Sequence, residues 1–164
     1  MPHLLIVIAS TRPGRVGLPL GEWFAGRAED HGGFTVEVAD LAELGLPLFD
    51  EPNHPRLRRY EHPHTLEWSA IVDRADAVVF VTPEYNHAYP AGTRAVTALK
   101  PVVSAVRMFP VPEAVNVPFV AEVVRDGEVH ANDVMLAAAD TLLDELLAAE
   151  AALSPRRAAV PAAS

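Results

Sequence analysis

A chain of 164 residues is long enough for one domain with a sizeable core and short for two. Its composition, 50% apolar and 21% charged, is that of a packed protein rather than a disordered one, and its net charge of −9 excludes a nucleic-acid backbone as partner, which needs a positive stripe. The absence of cysteine excludes disulfides, thiolate metal sites and cysteine nucleophiles, so redox chemistry here requires a borrowed cofactor.

In chain order, Leu4-Leu5-Ile6-Val7-Ile8-Ala9 is a continuous apolar run, the pattern of a buried parallel strand, and it runs into a loop at Ser10. Residues 16–30 place Leu20, Trp23, Phe24 and Ala28 at helical spacing before His31-Gly32-Gly33 stops the helix. Residues 34–39 alternate and are β-branched, a second strand followed by Asp40-Leu41. Residues 47–63 carry four prolines and read as a long surface loop. Thr65 is a candidate cap for a helix to about Ala75, with Leu66, Trp68, Ile71 and Val72 inward. A third strand spans residues 77–82 and ends at Pro83-Glu84-Tyr85-Asn86. Residues 92–108 read as a helix that Pro101 should kink or divide. Residues 115–120 are a candidate last strand, limited by Pro118, and 131–152 a final helix whose acids, Asp140, Asp144, Glu145 and Glu150, form its wet face. The domain is expected to span 1–153 and the tail 154–164 to be disordered. Alternating strands and helices imply an α/β domain with a parallel sheet and helices on both faces. No apolar run approaches the ~20 residues that span a bilayer, and the first residues lack a basic signal start, so a cytoplasmic protein without a membrane partner is expected.

In such sheets ligands sit beyond the carboxyl ends of the strands. Two loops belong there. Ser10-Thr11-Arg12-Pro13-Gly14-Arg15-Val16-Gly17 offers hydroxyls, guanidinium groups and amides at a helix N-terminus, the groups a phosphate dianion needs; a tight turn with solvated arginines is the plainer alternative. It matches neither the Walker nor the Gly-x-Gly-x-x-Gly pattern, so a mononucleotide fits better than ATP or NAD held in those ways. Thr82-Pro83-Glu84-Tyr85-Asn86-His87-Ala88-Tyr89-Pro90 can line a flat heteroaromatic ring, or be a packed surface turn.

Taken together, Ser-Thr-Arg-x-Gly-Arg after the first strand and Thr-Pro-Glu-Tyr-Asn-x-x-Tyr-Pro after the third resemble the NADPH-dependent FMN reductase family of flavin, quinone and azo-dye reductases. The resemblance runs from about Leu4 to Ala91, takes in Asp50-Glu51-Pro52 and Trp68-Ser69-Ala70-Ile71-Val72, and resumes over residues 92–119. It implies a flavodoxin-like three-layer sandwich, with FMN and NADPH as cofactors, a small-molecule electron acceptor and a homodimer. It further implies that Ser10, Thr11, Arg12, Arg15, Val16 and Gly17 hold the FMN phosphate and that Pro83, Glu84, Tyr85 and Asn86 lie along the isoalloxazine. The family's hydride transfer from NAD(P)H to the flavin needs no side-chain acid or nucleophile, so no catalytic residue is assigned, His87 included.

The sequence departs from the family after Ala91, where Tyr89-Pro90-Ala91 runs straight into Gly92-Thr93-Arg94, the end of a later glycine loop in relatives. One helix and one strand are missing by this comparison, which reduces the expected sheet to four strands in the order 2-1-3-4. The rival reading is a truncated, non-catalytic flavodoxin-like domain acting as an association module. His54, His62 and His64 lack accompanying carboxylate spacing and are expected to be solvated; no metal site is expected. Asp50 with Glu51, and Asp73 with Asp76, match no glycosidase or magnesium arrangement.

Overall fold

Strand β1 (His3–Ile8) is apolar after His3 because it is covered on both faces, and Leu4, Leu5, Ile6, Val7 and Ile8 are all buried. It is the centre of a parallel sheet between β2 (Thr35–Asp40) and β3 (Ala77–Val81), in the order 2-1-3. The computed structural model describes residues 1–83 and 93–158. Alternation along β1 divides the core: Leu4 and Ile6 pack with helix α1 (Gly17–His31) and helix α6 (Asp133–Ala158), while Leu5 and Val7 pack with helix α3 (Pro63–Asp73). This is the three-layer α/β arrangement.

On the first face, Met135, Ala139, Leu142, Leu143 and Leu146 recur at helical spacing along α6 and are buried; all but Met135 join Phe24, Ala25 and Ala28 of α1 and Phe34 in one cluster. Asn132 starts α6 by accepting the Met135 backbone N–H on its Oδ1 at 3.0 Å. The acids of α6 do more than face water. Asp140 pairs with Arg27 at 2.5 Å and Asp144 with His31 at 3.1 Å, both across to α1, and Glu150 lies 3.5 Å from Arg157. On the second face Ile71 and Trp68 meet the sheet as expected, but Leu66 and Val72 are 50% and 42% exposed. Helix α3 starts earlier than expected: Pro63 takes its first turn, where a missing N–H costs nothing, and His62 rather than Thr65 stands at the cap. Between β2 and α3 lie the short helix α2 (Leu41–Leu44) and a 3₁₀ turn at Pro55–Leu57.

Among the described residues the parallel sheet has three strands. Residues 115–120 do not form the expected fourth: Pro118 lacks a donor, and Phe119, at φ 52°, turns the chain out of the extended region into helix α5 (Val120–Val123). Helix α4 (Thr93–Ala105) holds Pro101 without being divided. A small antiparallel hairpin, β4 (Val124–Arg125) with β5 (Glu128–Val129), was not expected; it turns at Asp126 and Gly127, both at positive φ. Helix α6 continues past Pro155 to Ala158, so residues 154–158 belong to the fold, and the rest of the expected disordered tail, 159–164, lies outside the described residues.

Candidate cofactor-binding site

The loop between β1 and α1 is tied to the end of the neighbouring strand by the Ala9 N–H, which donates to the Val81 carbonyl at 3.0 Å. Next to it, Ser10 is 4% exposed, and its hydroxyl has no hydrogen-bond partner. An uncompensated buried hydroxyl is costly, so this one is an unused donor and acceptor at the start of the loop. Gly14 at φ +68° makes the turn, and Gly17 opens α1 so close to Ser10 that a Cβ there would stand 2.2 Å from the serine Oγ. Thr11 and Arg12 are exposed at the loop's tip, and Val16 precedes α1 without a capping side chain. Arg15 is turned inward: it donates to the Ser10 carbonyl at 3.2 Å and forms an ion pair with Asp40.

A cavity of about 780 Å³ opens beside this loop, along the side of β3 away from β1. That size falls within the range of ~300–1,000 Å³ typical of small-molecule sites. It is lined by Ser10, Arg12, Arg15, Val16 and Gly17 of the loop, by the third strand and Pro83, by α4 and the segment 108–119, and by side chains of α1 and α6. The lining is predominantly apolar, with polar side chains from the loop and from Lys100, Glu113 and Asn116. The remaining expected flavin residues, Glu84, Tyr85 and Asn86, lie outside the described residues, as do His87 and the junction after Ala91. Sequence reasoning missed Asp40 as part of the site and 108–119 as a wall; the Asp-Leu pair closing β2 was the available sign of the former.

The long loop 47–63 is organised by Glu51, whose carboxylate accepts the backbone N–H groups of Glu61 at 2.7 Å and His62 at 3.0 Å. Burial raises the Glu51 carboxyl, but the bonds from Glu61, Thr65 and His62 outweigh it and hold it below the ordinary glutamate value. His62 and His64 stack at 5.4 Å, and His64 meets Asp50 at 3.0 Å. Asp73 pairs with Arg58, and Asp76 with Arg157 and the His3 N–H. Among the described residues no cluster of three or more candidate metal ligands occurs.

Residues 2–93 match the family model described as NADPH-dependent FMN reductase, and the match ends where the sequence departs from the family pattern, short of the resemblance expected over 92–119. An NAD(P)H-dependent FMN reductase of Schizosaccharomyces pombe is 34% identical over 92 residues, which is 55% of this chain and 46% of the relative. One of Nectria sp. is 28% identical over 102 residues, 57% of this chain and 50% of the relative. The chain thus spans half or less of the length of these curated relatives. Among solved structures, the flavoenzyme NAD(P)H:(acceptor) oxidoreductase FerB from Paracoccus denitrificans superposes with a TM-score of 0.65 at 18% identity, covering 93% of this chain and 98% of that one, a likeness of fold. With more than half of its residues inside the family match, the chain belongs to the NADPH-dependent FMN reductase family.

Proposed function

We propose that the chain binds FMN in the cavity beside β3 and acts as an NAD(P)H-dependent oxidoreductase on a small electron acceptor such as a flavin or quinone. The observation that carries this reading is the buried, unpartnered Ser10 hydroxyl on a loop that lines a predominantly apolar cavity of about 780 Å³. FMN has the matching form, a dianionic phosphate at one end and a broad aromatic ring at the other. The residues present fit it: Gly17, lacking a Cβ, lets the Ser10 hydroxyl pack against the start of α1, and the first turn of α1 offers amide donors and the positive end of its dipole. When bound, FMN supplies the redox chemistry by taking hydride from NAD(P)H and passing electrons on.

The chain's own part is to bind and to exclude water. Ser10, Thr11, Arg12, Val16 and Gly17 surround the phosphate end, with Arg15 behind it. The apolar walls from β3 and 108–119 shield the ring, and Pro83, Glu84, Tyr85 and Asn86 bound its polar edge by family likeness. The reading includes a cytoplasmic location and a homodimer. Val102, Val106, Phe109 and Phe119 stay exposed on the far wall, which is apolar surface for self-association. No helix among the described residues is long and apolar enough to cross a membrane.

The rival, a non-catalytic association module, is favoured by one observation: β3 has no second neighbour among the described strands. Coupled assays separate the two. FMN-dependent NADPH oxidation with a quinone acceptor, reduced in Ser10→Ala, is the expected result; a folded protein that consumes no NADPH in the presence of FMN leaves the rival standing.

A further inference from the structure

We propose that Asp40 is a positioning residue for the phosphate end of the cavity and that Arg15, which it holds, braces the loop rather than gripping the anion; this rests on the flavin-binding reading. Arg15 carries the charge that family likeness sends to the phosphate, yet two of its nitrogens are committed inside the protein. Nη2 pairs with Asp40 Oδ2, and Nη1 donates to the Ser10 carbonyl at 3.2 Å. The two side chains are 13% and 6% exposed. The aspartate is itself fixed. It ends β2 in register with Ile8 of β1, and its second oxygen accepts the Ala42 N–H at 3.0 Å as the cap of α2.

The result is a chain of bonds from the end of β2, through Asp40 and Arg15, to the backbone of Ser10, the residue whose hydroxyl is buried and unpartnered. Were Arg15 to swing to a phosphate, it would leave a nearly buried carboxylate without its partner, an unfavourable exchange. Held where it is, it fixes the Ser10 backbone from behind, and its charge offsets the repulsion between Asp40 and an incoming dianion. The phosphate then rests on the Ser10 hydroxyl and the amides of the loop and first turn, which are held in place before it arrives, with Arg12 as the cation beside it.

Titrations of FMN and of riboflavin, which lacks the phosphate, with wild type, Asp40→Asn, Arg15→Met and the double variant test this, together with amide hydrogen exchange of residues 10–17 in the flavin-free proteins. Asparagine keeps the cap of α2 and removes the charge. The expected result is a rise of about tenfold or more in the Kd for FMN in each single variant, no further rise in the double variant, little change for riboflavin, and faster loop exchange without flavin. Unchanged or tighter FMN binding in Asp40→Asn, with loss in Arg15→Met alone, would overturn the proposal by making Arg15 the ligand and Asp40 its competitor. Equal losses for FMN and riboflavin would overturn it in favour of general destabilisation. Should Asp40→Asn not fold, Arg15→Met decides alone: loop exchange at the wild-type rate overturns the brace. If wild type binds neither flavin, the functional reading falls, and loop exchange then judges the brace by itself.

Discussion

Ser10 separates binding from stability in a single hydroxyl. Because that group is buried without a partner, its removal in Ser10→Ala relieves an uncompensated desolvation, and the flavin-free variant should melt at or slightly above the wild-type temperature while binding FMN more weakly. A lowered melting temperature with unaltered FMN affinity would assign Ser10 to the scaffold instead. Gly17→Ala should act on the same group, since the new methyl displaces the serine hydroxyl, and it should reduce FMN affinity while the helix still forms. Glu51 makes a prediction in pH. Its carboxyl lies below the ordinary value in the folded chain, so its contribution is present above the unfolded pKa of about 4.3 and is lost as pH falls through the folded value. Melting curves of Glu51→Gln should therefore lie below wild type at neutral pH and approach it in acid; a constant offset across pH would contradict the bonds to Glu61 and His62 as the cause.

At the scale of elements, the packing of α1 and α6 on the sheet sets stability. Leu143 is fully buried between them, and Leu143→Ala should cost about 2–5 kcal/mol in denaturant unfolding. Gly21 tests the contact between α1 and β1: a Cβ there would come within 2.6 Å of two Ile8 side-chain carbons in the core, and Gly21→Ala should destabilise by about 1–3 kcal/mol despite better helix propensity. The elements that contact the core as regular repeats were legible in the sequence. The apolar run of β1, the alternation of β2 and the glycine stop after α1 each follow from one local rule. What escaped depended on tertiary context. The cap of α3 lies at His62 because Glu51, far back in the loop, holds the backbone leading into it. The supposed strand at 115–120 had the right composition, but Pro118 and the left-handed Phe119 remove it from the ladder. The hairpin at Asp126-Gly127 carried an ordinary turn signal that two-residue strands were too short to support.

For the whole molecule, the loop after β1 stands at the carboxyl edge of the sheet, where this fold class places ligands, while the loop after β3 beyond Pro83 lies outside the described residues. The pairing of Arg15 with Asp40 was not recognisable, because the aspartate reaches the loop from the end of the neighbouring strand, far away in sequence. Nor was the cavity wall, since 108–119 has no periodicity and takes its place only by lying across from β3. A three-stranded sheet bordering an apolar cavity of about 780 Å³ leaves much of its third strand dependent on what fills that space, so FMN should raise the melting temperature in a concentration-dependent manner. The most direct test of the central claim is a fluorescence titration of purified, monodisperse protein with FMN and with riboflavin. The account predicts saturable binding of one FMN per chain at micromolar concentration or below, and weaker binding of riboflavin for want of the phosphate. A cooperatively folded protein that binds neither flavin, or both equally, would contradict it.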